Sequence, residues 1–169
     1  MRKRTKGFTA SDFCVSWAKI GSSTKRLSFI GWSLADLARE AIEKGELEEP
    51  DVVSGVEASG IPLGLIVAEE LEKPFAVVRA RPHAQKALGA LKKKVGNAIS
   101  VSFAPVEGKR VLIVEDVIST GETLSAVIKA LRKVKAKPIG VMIFIDKKAQ
   151  DKIEGVPVKA LVKVMPIMT

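Results

Sequence analysis

Residues Val111–Thr123 read VLIVEDVISTGET. Four apolar residues lead into two adjacent acids, two more apolar residues, and then small hydroxylated residues around Gly121. The apolar run is a buried strand, and the glycine turn hands the chain to a helix beginning near Glu122. Backbone N–H groups from Val117 to Thr123 then converge with the hydroxyls of Ser119, Thr120 and Thr123 at a helix N-terminus. Such a turn is a phosphate cradle, because amide donors and the helix dipole act on the same anion. Glu115 and Asp116 repel a phosphate but accept hydrogen bonds from hydroxyls. Acids beside a phosphate cup therefore suit a sugar phosphate. The spacing also permits a plainer reading, a strand ending in a solvated acidic pair and a Ser-Gly turn.

The flanking segments alternate strand and helix. Leu34, Leu37, Ala38 and Ala41 share a face in SLADLAREAI, which predicts a helix over 33–42 with Ser33 as N-cap and Asp36 in a capping-box position. PDVVSG (50–55) reads as a short buried strand. GIPLGLIVAEEL (60–71) reads as a helix with Pro62 in its first turn, where a missing N–H costs little. PFAVVRA (74–80), RVLIVED (110–116) and PIGVMIFID (138–146) are further strands. ETLSAVIKALRKV (122–134) is an amphipathic helix with Leu124, Val127, Ile128 and Leu131 inward. This alternation predicts an α/β fold, a mostly parallel sheet flanked by helices. Ligands of such sheets bind beyond the carboxyl ends of the strands, where the unusual residues fall. AISVSF (98–103) is expected to form one strand of a small antiparallel excursion. The long connection before it brackets Lys92, Lys93 and Lys94 between Gly89 and Gly96, the composition of a functional lid or binding loop.

Composition narrows the class. The chain of 169 residues is 47% hydrophobic, the content of one globular domain with a sizeable core. No apolar run approaches the roughly 20 residues of a membrane helix. The basic start resembles the first segment of a signal peptide, but its apolar part is broken by Asp12, Ser16 and Lys19, so no export signal is expected. One cysteine, Cys14, excludes an internal disulfide and suits a reducing compartment, so the expected location is the cytoplasm. The net charge of +9 is uneven: residues 27–78 carry three bases against eleven acids, and residues 79–110 carry eight bases against one acid. A basic segment beside a phosphate cup attracts a polyanion. No zinc-finger spacing or aromatic RNA-binding motif accompanies it, so no nucleic-acid or membrane partner is expected.

VLIVEDVISTGET resembles, position by position, the phosphoribosyl pyrophosphate (PRPP) motif of type I phosphoribosyltransferases. The resemblance implies that Glu115 and Asp116 hold the ribose hydroxyls. It implies a 5-phosphate loop of Val117, Ile118, Ser119, Thr120, Gly121, Glu122 and Thr123. GVEASGIPLG (55–64) resembles the family's pyrophosphate loop, placing Glu57, Ala58, Ser59 and Gly60 against pyrophosphate. In the family this loop often carries a non-proline cis peptide, which costs roughly 3–4 kcal/mol. Order and spacing over about residues 20–145 look most like orotate phosphoribosyltransferases. PFAVVRARPHAQK falls where that subfamily writes an Arg-Lys pair followed by another Lys and a His. Arg79 matches the arginine, Ala80 stands at the lysine position, and His83 stands at the later lysine position. Arg81 and Lys86 are the candidates to supply the missing charge.

The resemblance further implies transfer of a phosphoribosyl group from PRPP to a nucleobase, orotate before a purine, with release of pyrophosphate. Catalysis would rest on positioning and electrostatics. Mg²⁺ is implied, carried by the substrate's oxygens and water. A mobile loop over 82–98, with His83 and Lys92–Lys94, would close on the site. The expected organisation is a single domain over 1–169, with a core of about 33–160 and a hood from 1–32 and the C-terminal segment KALVKVMPIM (159–168). Phe13, Trp17, Phe29 and Trp32 are read as core more readily than as base contacts. A homodimer is the family's common state. A PRPP-binding regulator without turnover is the alternative, made credible by Ala80. A protein recruited to nucleic acid by its basic surface is the third.

Overall fold

The computed structural model describes residues 16–80 and 99–164. Its elements run α1 (Trp17–Gly21), α2 (Thr24–Glu43), β1 (Val52–Val56), α3 (Gly60–Glu70), β2 (Phe75–Ala80), β3 (Ile99–Phe103), β4 (Arg110–Ile118), α4 (Glu122–Lys133), β5 (Lys137–Asp146), β6 (Lys152–Ile153) and β7 (Val156–Lys163). The strands form one sheet in the order β3-β2-β1-β4-β5-β7-β6. The five inner strands are mutually parallel. The edge strands β3 and β6 pair antiparallel with β2 and β7. This is the α/β architecture expected, including the antiparallel excursion at 99–103.

Alternation along the inner strands sorts the core into two layers. Val111 and Ile113 of β4 pack with Val127, Ile128 and Leu131 of α4, whereas Leu112 and Val114 pack with Leu34 of α2 and Leu63 of α3. Because both faces are covered, the strands read as near-continuous apolar runs. Burying a side chain such as Leu63 contributes about 1.5–3 kcal/mol. The layer of α2 and α3 is thin where Gly31 meets Ile66: a Cβ added at Gly31 would lie 2.5 Å from Ile66 Cγ2.

Three expectations are corrected. The helix expected over 33–42 is α2, which starts at Thr24, nine residues before Ser33. Ser33 is inside it, and its hydroxyl donates to the Phe29 carbonyl at 2.8 Å, so the residue read as a cap is satisfied by the preceding turn. The helix ends where Gly45 takes a φ of 70° and the N–H groups of Glu46 and Leu47 return to the Ala41 carbonyl. At the other end of the chain, residues 159–163 are not hood: they belong to β7, which pairs along β5 from Val141↔Val158 to Asp146↔Lys163. Finally, Phe29 and Trp32 are not core, being 68% and 50% exposed on α2. Phe13 and the side chain of Trp17 lie outside what the structure describes. Among the described residues no helix is long and apolar enough to cross a membrane.

Candidate functional site

The chain leaves β1 through α3 toward β2 on one side, and leaves β4 through α4 toward β5 on the other. The carboxyl ends of the adjacent strands β1 and β4 therefore open a crevice at the point where the winding reverses. A cavity of about 300 Å³ occupies it, lined by Glu57, Ala58 and Ser59 from the β1–α3 loop and by Glu115–Gly121, Thr123 and Leu124 from the end of β4 and the start of α4. Two stretches 58 residues apart in sequence, 57–59 and 115–124, thus become facing walls.

The β4 wall differs in detail from the sequence reading. The strand continues to Ile118, pairing Val117↔Ile145 and Ile118↔Asp146, so the acids lie within it and not at its end. Ile118 is 2% exposed and belongs to the core; of the seven residues read as the phosphate loop, it contributes a hydrophobic anchor. The turn proper is Ser119–Gly121. Gly121 adopts a φ of 85°, a left-handed conformation that suits glycine, and forms the N-cap of α4. The Glu122 N–H is directed to Thr120 Oγ1 at 3.4 Å. Glu122 itself is not among the cavity-lining residues.

Glu115 and Asp116 are unequal. Glu115 is 7% exposed, and Asp116 is partly exposed. The Asp116 N–H donates to Glu115 Oε1 at 2.9 Å, and the Val117 N–H to Asp116 Oδ1 at 2.7 Å. Burial, and then hydrogen bonding to the Asp116 side chain, push the Glu115 carboxyl up to about 9, although the Asp116 N–H pulls the other way. Glu115 is therefore a neutral acid at pH 7, a donor as well as an acceptor, beside a second carboxyl that meets solvent.

The β1–α3 wall is packed hard against this pair. A Cβ at Gly60 would lie 2.7 Å from the Val114 carbonyl and 3.0 Å from Glu115 Oε1. Gly60 thus supports the wall from behind. The Glu57–Ala58 peptide is cis. Arg79, at the end of β2, donates from Nε to Glu57 Oε1 at 3.0 Å. Of the other predicted residues, Arg81, His83, Lys86, Lys92, Lys93 and Lys94 lie outside the described residues.

Two features escaped the sequence reading. One is the Glu57–Arg79 ion pair, which joins residues 22 apart. The other is the loop after β5, which the buried Asp146 carboxylate orders by accepting the N–H groups of Lys148 and Gln150, both at 2.8 Å. It brings the Gln150 side chain over Gly121, where an added Cβ would lie 3.4 Å from Nε2. No local pattern announces either contact. The isolated Asp at the end of PIGVMIFID was the one available signal.

The crevice, its acidic pair and its glycine turn are those of a phosphoribosyltransferase fold, and the chain belongs to the phosphoribosyl transferase domain family, whose pattern matches residues 30–164. Among curated relatives, the transcriptional regulator GfcR of Methanosarcina mazei is 41% identical over 156 residues, covering 92% of this chain and 74% of the relative. The transcriptional regulator GfcR of Haloferax volcanii is 37% identical, covering 92% and 71%. Among solved structures, the orotate phosphoribosyltransferase of Mycobacterium tuberculosis in complex with PRPP superimposes with a TM-score of 0.62 at 21% identity, covering 89% of this chain and 80% of that one, which shows the shared fold.

Proposed function

We propose that this chain is a phosphosugar-binding domain of a transcriptional regulator, one that binds PRPP-type ligands with little or no turnover. The observation that carries the proposal is the cavity itself. It joins a glycine turn rich in amides and hydroxyls to two carboxyls suited to ribose hydroxyls, while its described lining holds no cation to stabilise a departing pyrophosphate. The relatives named as transcriptional regulators match nearly the whole chain and support the same reading.

In this reading the phosphate sits against Ser119–Thr123 at the start of α4, where backbone amides and the helix dipole attract it. Asp116 and the neutral Glu115 take the ribose 2- and 3-hydroxyls. Among the described residues no group of three His, Cys, Asp or Glu side chains could hold a metal ion. The donor set fits Mg²⁺ that arrives on phosphate oxygens and water, with Asp116 the available carboxylate. Bound so, the ion would neutralise phosphate charge.

The second reading is a phosphoribosyltransferase of nucleotide biosynthesis or salvage, acting on orotate or a purine as a cytoplasmic homodimer. The uninterrupted motif from Val111 to Thr123 favours it. Arg79 and residues beyond it would then supply the charge that the cavity lining lacks. Calorimetry with PRPP and Mg²⁺, followed by pyrophosphate release with orotate, adenine, hypoxanthine, guanine, xanthine and uracil, separates the two. Binding without release for every base is the expected result; sustained release with any base establishes the enzyme. Ligand-dependent change in the affinity of the chain for promoter DNA, measured against salt, tests the regulatory role.

A further inference from the structure

We infer that the outward face of α4, continued by Lys109 and Lys135, is a docking surface for the phosphate backbone of double-stranded DNA. The inference rests on the regulatory reading above and gives it a place for its nucleic acid. Leu124, Val127, Ile128 and Leu131 turn toward the sheet, so helical spacing sets Ser125, Ala126, Lys129, Arg132 and Lys133 on the opposite face. The three cations are exposed, as are Lys135 just past the helix and Lys109 before β4. The Gly108 N–H donates to the Lys135 carbonyl at 3.1 Å, which holds the two loops side by side and extends the face beyond the helix.

Elsewhere the chain neutralises cations locally: Lys137 pairs with Glu48, Lys159 with Glu46 and Arg110 with Asp51. On the α4 face Glu154 lies 3.0 Å from Lys129 Nζ, and its carbonyl accepts from Arg132. Lys109, Lys133 and Lys135 form no ion pair among the described residues. The negative end of the helix dipole accounts for cations in the last turn of α4, but Lys109 and Lys135 lie outside the helix. A convex rod with one stripe of charge cannot enclose a small anion, which needs a concave site. It does fit along a row of phosphates, and the small side chains of Ser125 and Ala126 let the helix approach closely. The 12 residues of α4 span about 18 Å. That is enough to cross the roughly 12 Å major groove between phosphate strands. Phosphate contacts position a protein on a duplex without reading bases, so this surface needs none of the base-reading motifs that the sequence lacks.

The test is fluorescence anisotropy of a labelled duplex of arbitrary sequence, about 30 base pairs long, titrated without sugar phosphate between about 50 and 300 mM salt. Wild type is compared with Lys133→Gln/Lys135→Gln and with Lys19→Gln/Lys25→Gln, which removes the same charge from α1 and α2. Circular dichroism checks that both variants keep the fold. The wild type should bind, with an affinity that falls steeply as salt rises. Losing two phosphate contacts should lower affinity at the lowest salt by about tenfold or more and flatten the log–log salt slope by roughly 2. The α1–α2 pair, on the other helix layer, should change affinity by less than about twofold. Equal loss in the two variants, or none in the α4 variant, overturns the docking face, while duplex binding by the wild type leaves the regulatory reading standing. Displacement of the protein from duplex by poly-glutamate at equal charge overturns it too, by marking a surface for acidic protein. Failure of the wild type to bind duplex at the lowest salt overturns this inference and the regulatory reading together, and sugar-phosphate calorimetry then decides the cavity independently.

Discussion

Replacing Glu115 by Gln is expected to stabilise the protein, by an amount that grows with pH. An ordinary glutamate titrates at 4.5, and burial raises the folded value to about 9. For an acid shifted upward, the folded chain keeps a proton that the unfolded chain has released. Stability is therefore complete below 4.5 and falls through the whole interval up to 9. The slope is about 1.4 kcal/mol per pH unit, so the accumulated loss at pH 7 is roughly 3 kcal/mol. Glutamine imitates the protonated acid: its oxygen still accepts the Asp116 N–H, and its amide donates where the carboxyl proton did. It has no proton to lose. Urea unfolding at pH 5, 7 and 8, followed by circular dichroism and tryptophan fluorescence, measures the difference. The variant should exceed the wild type by under about 1 kcal/mol at pH 5 and by roughly 3 kcal/mol at pH 7. In a chain of this length the latter corresponds to about 6–12 °C in melting temperature. Parallel stability profiles for the two proteins would refute the reasoning and show that Glu115 is ionised in the folded state.

Asp116→Asn should weaken ribose 5-phosphate binding roughly tenfold to a hundredfold, since a hydrogen bond to a charged group is worth about 1.5–3 kcal/mol; unchanged affinity in calorimetry would remove Asp116 from the ribose site. Gly60→Ala puts a methyl against the Val114 carbonyl and Glu115 Oε1. It should cost about 1–3 kcal/mol in chemical denaturation, as overpacking does, and weaken sugar binding as well. Gly121→Ala meets Gln150 only at ordinary contact distance, so its cost is that of the left-handed backbone, about 1–2 kcal/mol. A melting temperature equal to wild type would show that the turn relaxes to another conformation.

Much of this molecule follows from local chemistry. VLIVEDVISTGET announces strand, acids, turn and helix because each feature is a property of adjacent residues: apolar continuity, a glycine able to take a positive φ, hydroxyls beside backbone amides. The same holds for β1, β2, β4 and β5 and for α3 and α4, whose periodicities survive intact in the structure. Where a local signal was ambiguous, tertiary packing decided. Ser33 is a good cap in isolation, yet the buried spacing of Ile30, Leu34 and Ala38 on one face carries the helix through it. Residues 156–163 alternate apolar and polar too weakly to declare a strand, and pairing with β5 makes them one. The inequality of Glu115 and Asp116 is likewise invisible in two neighbouring letters, because a carboxyl's proton affinity is set by the water it has lost. So too is the pairing of Glu57 with Arg79, which needs β1 and β2 side by side. Sequence determines which chemical groups this protein owns, since composition and short-range pattern are covalent facts. Only the tertiary structure determines which of them share a cavity, since burial and charge pairing depend on distances that the chain order does not contain.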